Sequence, residues 1–257
     1  MKKFYIIAMM AFAAMTASAQ TVSISTYEGT DVAKHNGQQK KVSLNRYLFK
    51  GWNTISIPFD MTGEEVTTAF GEDCKLEALV GVENDEAGIK LNFQDCKSTG
   101  IKANTPYILY YNKDSQSIKF NGQKTLKSGK ACVKFTDENG VEISFVGTSQ
   151  KKNAQGLYGI LAKDNAEAEF VNVNDVSNGF YATRCYIQLS SGNNTKLRTN
   201  HIAEDDITAI AAVVKGGEKV DVYNVSGVKI ASNATINDIN RMNKGIYVVK
   251  GKKIAVK

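Results

Sequence analysis

The residues best suited to chemistry are few. The chain has two histidines, His35 and His201, and four cysteines, Cys74, Cys96, Cys132 and Cys185. A Cys185/His201 pair would have the residue types for nucleophilic catalysis. Such a thiol wants an electropositive, often helix-terminal setting that favours the thiolate. Cys185 lies instead in an apolar strand pattern between Arg184 and Tyr186, which suits a core thiol or half of a disulfide. His201 falls in the polar, acidic run from Arg198 to Asp206 and reads as solvated. No C-x-x-C, histidine pair, G-x-S-x-G elbow, phosphate loop, dinucleotide fingerprint or H-E-x-x-H occurs. No catalytic, cofactor-binding or metal-ligating residue is therefore assigned, and the chain is expected not to be an enzyme. The acid pair Asp205-Asp206 means little without geometry, because carboxylates are common. Glu83-Asn84-Asp85-Glu86 offers oxygen ligands for calcium but lacks the register of a calcium loop, so a solvated turn is expected there.

The aromatic residues are the other candidates. Trp52, Tyr107, Tyr110 and Tyr111 lie on expected strands, as do Tyr181 and Tyr186. Alternation along a strand puts Tyr107, Leu109 and Tyr111 on one face and Ile108 and Tyr110 on the other. If one face is open, these rings can stack on sugars. If both are covered, they fill a core, which is where large aromatics most often sit in β proteins.

The elements that would position these residues are mostly strands. Ala131 to Phe135 and Val141 to Phe145 alternate around Asp137-Glu138-Asn139-Gly140, a hairpin signature. Ser117 to Phe120 followed by Asn121-Gly122 suggests a second hairpin. Ile101 to Tyr111, Gly156 to Ala162, Glu169 to Val173 and Gly179 to Leu189 read as further strands. One helix is expected, over Gly63 to Phe70. Thr62 and Glu65 form a capping box, Met61 and Val66 a hydrophobic staple, and Gly71 stands just past the end. The polar run from Arg198 to Asp206 marks a boundary. Beyond it, Val220 to Tyr223, Val228 to Ile230, Ile246 to Val249 and Ile254 to Val256 read as short strands. The expected organisation is residues 1–19 as a leader, 20–205 as a β-rich domain and 206–257 as a small β module.

The leader is read from Lys2-Lys3, the apolar run Phe4 to Met15 and the small residues Ala17-Ser18-Ala19, with cleavage between Ala19 and Gln20. The apolar run is short of the ~20 residues that span a bilayer, and no later stretch is a transmembrane candidate. Removing the 19 residues, with Lys2 and Lys3, leaves 238 residues and lowers the formal net charge from +6 to +4. The lysines are scattered along the sequence without a nucleic-acid-binding motif, so no nucleic-acid partner is expected. Export permits disulfides, and four cysteines allow three pairings. Cys132 and Cys185, in apolar strand patterns, suit free buried thiols equally.

Two blocks carry a resemblance to a known family. Val220 to Ile230 and Lys244 to Lys257 resemble the C-terminal sorting domains of type IX secretion cargo, through Tyr223, Gly227, Gly245, Tyr247, Lys253 and Lys257. That resemblance implies a small immunoglobulin-like β module, recognised by outer-membrane sorting machinery. Further blocks, Gly51 to Phe59, Ala103 to Leu109 and Gly179 to Tyr186, resemble a β-rich domain common in exported proteins of Gram-negative bacteria. The combined expectation is an all-β protein with a sandwich-like main domain. It would be secreted or displayed on the cell surface, act in binding, adhesion or surface structure, and take surface polysaccharide or glycan as its partner. A glycan-binding accessory module is the alternative, and a hydrolase of unfamiliar type the third.

Overall fold

The computed structural model describes residues 21–25, 31–161, 168–174, 179–192, 195–203, 213–214 and 217–256. Ala19, Gln20 and the rest of the leader, the pair Asp205-Asp206, and Lys257 lie outside them. The fold is all-β. Among the described residues no helix is long and apolar enough to cross a membrane.

Strands are numbered in chain order. A three-stranded sheet joins β1 (Val22–Ser25), β2 (Gln39–Leu48) and β7 (Gln116–Thr125), with β1 parallel and β7 antiparallel to β2. A ten-stranded sheet contains β3 (Gly51–Ile55), β4 (Lys75–Asp85), β5 (Gly88–Asp95), β6 (Tyr107–Tyr111), β8 (Cys132–Thr136), β9 (Glu142–Gly147), β11 (Leu157–Leu161), β12 (Glu169–Val173), β14 (Cys185–Leu189) and β15 (Leu197–Ile202). Its order is β3-β6-β4-β5-β15-β12-β11-β14-β9-β8. The sheet curls until β3 meets β14. The Thr54 hydroxyl accepts the Cys185 N–H at 2.8 Å and donates to the Cys185 carbonyl at 3.2 Å.

Two cores result. Inside the curl pack Trp52, Phe93, Ile108, Phe145, Phe170 and Ile187, with the three phenylalanine rings in mutual contact at 5.8–6.1 Å. Outside it, the three-stranded sheet and helix α1 (Gly63–Phe70) cover the β3-β6-β4 end over Leu44, Ile55, Phe59, Phe70 and Leu109. Strand β6 thus has both faces covered, with Tyr107, Leu109 and Tyr111 in the outer core. Ile108 and Tyr110 belong to the inner one.

The capping box forms as the sequence indicates. The Thr62 hydroxyl accepts the Glu65 N–H at 3.2 Å, and the Glu65 carboxylate accepts the Thr62 N–H at 2.9 Å. The β8–β9 hairpin also forms, closed by the Asp137 carboxylate accepting from the Asn139 and Val141 amides.

Three expectations are corrected. Asn121-Gly122 is no turn but the middle of β7, because the ten residues of β2 pair along its whole length. The run from Arg198 is no linker at its start, since Leu197–Ile202 pairs in parallel with β5 in the middle of the large sheet. Glu83 and Asn84 are not in a solvated turn either. They belong to β4, paired with Lys90 and Ile89 of β5, and Glu83 is buried.

A two-stranded ribbon pairs β10 (Lys152–Asn153) with β13 (Gly179–Phe180). The tail forms a four-stranded sheet from β16 (Val220–Asn224), β17 (Lys229–Ala234), β18 (Gly245–Val249) and β19 (Lys252–Val256), ordered β17-β16-β18-β19. It carries a second short helix, α2 (Ile236–Asn240), capped by Thr235 and Asp238, where a single helix was expected in the whole chain. Val222, Ile239, Val249 and Ile254 form its core. The tail lies against β4. Gly81 presents no side chain where Gly245 passes, and the Ser226 hydroxyl donates to the Glu83 carboxylate at 3.1 Å.

Candidate functional site

Two buried polar centres stand out. The first gathers on the inner face of the curled sheet. Glu77 of β4, 3 % exposed, lies 2.6 Å from His201 Nδ1. The Thr199 hydroxyl donates its one proton to the Ala168 carbonyl at 2.6 Å. Its oxygen therefore accepts from His201 Nε2, 3.3 Å away. That assignment places a proton on Nε2 and leaves the Glu77 contact to share one more. Burial pushes the Glu77 carboxyl above its ordinary value, with His201 pulling the other way. The Trp52 ring stacks on the imidazole at 4.8 Å and meets Tyr110 edge-on at 5.3 Å. Its buried indole N–H has no acceptor among the described residues.

A histidine acting as base needs a free nitrogen facing the proton it will take. Nδ1 of His201 faces Glu77, and Nε2 faces the Thr199 hydroxyl, whose proton goes to the Ala168 carbonyl and not to the imidazole. Cys185 is not its partner, because it sits fully buried in the inner core and burial pushes its thiol up to about 12. None of the four cysteines is joined in a disulfide among the described residues. Among the described residues no group of three or more His, Cys, Asp or Glu side chains is placed to hold a metal.

The aromatic candidates are placed in the cores. Trp52, Tyr107 and Tyr111 are 1 %, 4 % and 2 % exposed, too covered to offer a ring face to a sugar. Tyr110 is half-buried. In the tail, Tyr223 lies under the Lys229 ammonium at 5.7 Å. Gly227 takes a positive φ of 84° in the turn after β16. Tyr247 donates to the Asn243 carbonyl at 2.7 Å, and Lys253 lies on β19 opposite Val248.

The second centre is a cavity of about 330 Å³ where the three-stranded sheet meets one end of the curl. Ile24, Ile57 and Pro58 supply apolar wall, and Ser56, Asn104 and Thr183 supply polar groups. Two of these residues are in the left-handed backbone region: Asn104 at φ 56° and Thr183 at φ 65°. Asparagine tolerates that region, whereas a β-branched residue there is a true outlier. The surroundings enforce both conformations. The Asn104 N–H donates to the Ile57 carbonyl at 2.9 Å and its side-chain amide to the Lys127 carbonyl at 2.8 Å. The Thr183 N–H donates to the Thr148 carbonyl at 2.8 Å, while its own carbonyl accepts from Ser56 at 3.1 Å.

Thr183 is 3 % exposed, and its hydroxyl oxygen has no hydrogen-bond partner among the described residues. An unanswered buried polar group costs about 1–3 kcal/mol. The left-handed backbone adds about 1–2 kcal/mol. Gly147 closes the wall, because a Cβ there would come within 2.4 Å of the Ser56 hydroxyl.

Lysines scattered through the sequence are gathered around this cavity. Lys127 and Lys130 line it, and Lys151 and Lys152 directly follow the lining residue Gln150. Lys127 pairs with Asp60 at 2.7 Å and holds that carboxyl below its ordinary value. Lys151 and Lys152 lie over the rings of Tyr181 and Tyr186 at 5.4 and 5.5 Å.

The residues that build the cavity were not singled out by their chemistry, since serine, asparagine and threonine are unremarkable types. A signal was nevertheless present. The blocks Gly51 to Phe59, Ala103 to Leu109 and Gly179 to Tyr186 contribute Ser56, Asn104 and Thr183 respectively, so three segments far apart in sequence converge on one place. No family model, no curated protein and no solved structure matches the chain.

Proposed function

We propose that this is an exported, non-catalytic β protein of the cell surface or extracellular space, acting by binding at the Ser56–Asn104–Thr183 cavity. One observation carries the reading: a buried threonine hydroxyl without a partner among the described residues, on a backbone strained into place, at the wall of a cavity. Strain that the surroundings over-determine tends to collect at ligand sites, and the orphan hydroxyl, covered in this structure, gains a partner when a ligand draws the wall open. Export is supported by the basic start, short apolar run and Ala17-Ser18-Ala19. Sorting across the outer membrane is supported by the resemblance of the tail to type IX sorting domains, including their immunoglobulin-like character. Non-catalytic action is supported by the engagement of His201 and the burial of Cys185.

Titration of the mature protein with a panel of oligosaccharides, followed by amide NMR, tests the binding site. Shifts should cluster at Ser56, Asn104 and Thr183 and disappear in Thr183→Val. Shifts confined to the outer faces of β8 and β9 would place binding elsewhere and sink the cavity reading. Export and sorting are tested separately. Exported material should begin at Gln20, and a periplasmic reporter fused to residues 207–257 should reach the surface of a type IX-competent host. A reporter held in the periplasm would overturn the sorting role.

A further inference from the structure

We infer that the cavity takes one uronate residue of an acidic polysaccharide, with the carboxylates of that residue and its neighbours held by Lys130, Lys151 and Lys152. The inference rests on the cavity being the binding site and names its ligand class.

Charge is the first argument. The lysines near this end of the fold fall into two sets. Lys34, Lys127 and Lys134 each have a carboxylate, from Asp31, Asp60 and Glu142 at 3.0, 2.7 and 2.7 Å. Among the described residues Lys130, Lys151 and Lys152 have no carboxylate in ion-pair contact, and all three are exposed. Two of them are held over tyrosine rings, which fixes their ammonium groups without neutralising them. Positive charge therefore stands beside the cavity, with Lys130 on its lining and Lys151 and Lys152 immediately after the lining residue Gln150.

The lining is the second argument. Besides Ser56, Asn104 and Thr183 it includes Thr148, Ser149 and Gln150, so hydroxyl and amide groups surround the aliphatic wall, and its one carboxylate among the described residues, Asp31, is paired with Lys34 at 3.0 Å. That composition suits a hydroxylated ring better than an acyl chain. Among the described residues no aromatic side chain lines the cavity, so the stacking that usually holds a neutral sugar has no platform there. Carboxylate–lysine attraction supplies the missing contribution. Single-stranded nucleic acid is disfavoured, because its bases need open ring faces and Lys151 and Lys152 cover those of Tyr181 and Tyr186. A bare polyanion would use the rim and leave the Thr183 hydroxyl unanswered.

The test uses the mature full-length protein and three probes: trigalacturonate, its neutral methyl ester and inorganic polyphosphate. Affinities are measured by calorimetry at low and at 0.5 M salt, a concentration chosen to screen exposed charges. Trigalacturonate should bind at least tenfold more tightly than the ester, and salt should narrow the gap. Lys130→Gln/Lys151→Gln/Lys152→Gln, three exposed changes that spare the core, should bring the two ligands within about threefold of each other. Thr183→Val should weaken both sugars and leave polyphosphate unchanged.

Equal binding of acid and ester, both weakened by Thr183→Val, would overturn the acidic class while the cavity reading stands. Trigalacturonate binding matched by polyphosphate and indifferent to Thr183→Val would reduce the site to surface charge and overturn both. Failure of trigalacturonate to bind at low salt would overturn this inference, leaving the cavity to be judged by the NMR titration.

Discussion

At the Glu77–His201 centre, the carboxylate meets Nδ1, Thr199 answers Nε2, and Ala168 answers Thr199. At the cavity, the Thr183 hydroxyl meets no hydrogen-bond partner among the described residues, on a backbone at φ 65°. Both places are buried and polar, and both join segments far apart in sequence. The difference separates two uses of polarity in one protein. A completed network fixes strands β4 and β15 to each other, while at the cavity wall a covered hydroxyl stands without a partner among the described residues. Even the exception at the first centre, the unpartnered Trp52 indole N–H, belongs to a ring packed between His201 and Tyr110.

The largest effect should follow from breaking the completed centre. His201→Ala leaves Glu77, 3 % exposed, without its partner and should cost about 3 kcal/mol. Urea unfolding with an unchanged m value would register it. A loss below ~0.5 kcal/mol would mean the network holds nothing together, and the contrast between the centres would collapse.

Thr183→Gly should act in the opposite direction. It relieves the left-handed penalty and removes the orphan hydroxyl, so stability should rise by about 1 kcal/mol while ligand binding falls. A variant that is both less stable and still binds would show that Thr183 is a packing residue.

The smallest effect is one of pH. The folded state holds the Glu77 proton more tightly than the unfolded chain does, because burial raises its value. Below the ordinary carboxylate range both states are protonated and this contribution is complete. As pH rises through the raised value of the folded state, unfolding releases the proton and stability falls. Asp60, whose value is lowered, acts at lower pH and with the opposite sign, its contribution being lost as pH falls below the ordinary carboxylate range. The readable quantity is therefore the difference between wild type and Glu77→Gln. That difference should grow as pH rises from about 4 to 7, and a flat one would place the shift elsewhere.

Where structure follows from neighbours in sequence, it was legible. The capping box at Thr62 and Glu65 sets the start of α1, and Asp137 to Gly140 sets the β8–β9 turn. Where it follows from distant partners, it was not. His201 looked like a linker residue because its partner Glu77 is 124 positions away. Asn121-Gly122 looked like a turn because nothing nearby reveals the ten residues of β2 that hold it extended. Thr183 is the extreme case. A β-branched residue argues against a left-handed backbone, so local reading points away from the conformation that makes the site.

The position of β15 has a consequence for how the molecule assembles. It is the last strand of the large sheet in sequence but lies between β5 and β12. Without it the other nine strands are two open sheets, one of four strands ending at β5 and one of five ending at β12. Each keeps a bare edge of the kind that invites mispairing. Closure waits for residues 197–202, whose partners on β5 come about a hundred residues earlier, as in the Asn200–Asn92 contact with its separation of 108. Such long-range pairing folds slowly, on the order of milliseconds to seconds. A chain threaded through a pore from its N-terminus would stay unclosed until nearly all of the body had emerged, and folding before passage is complete would be disfavoured by topology alone.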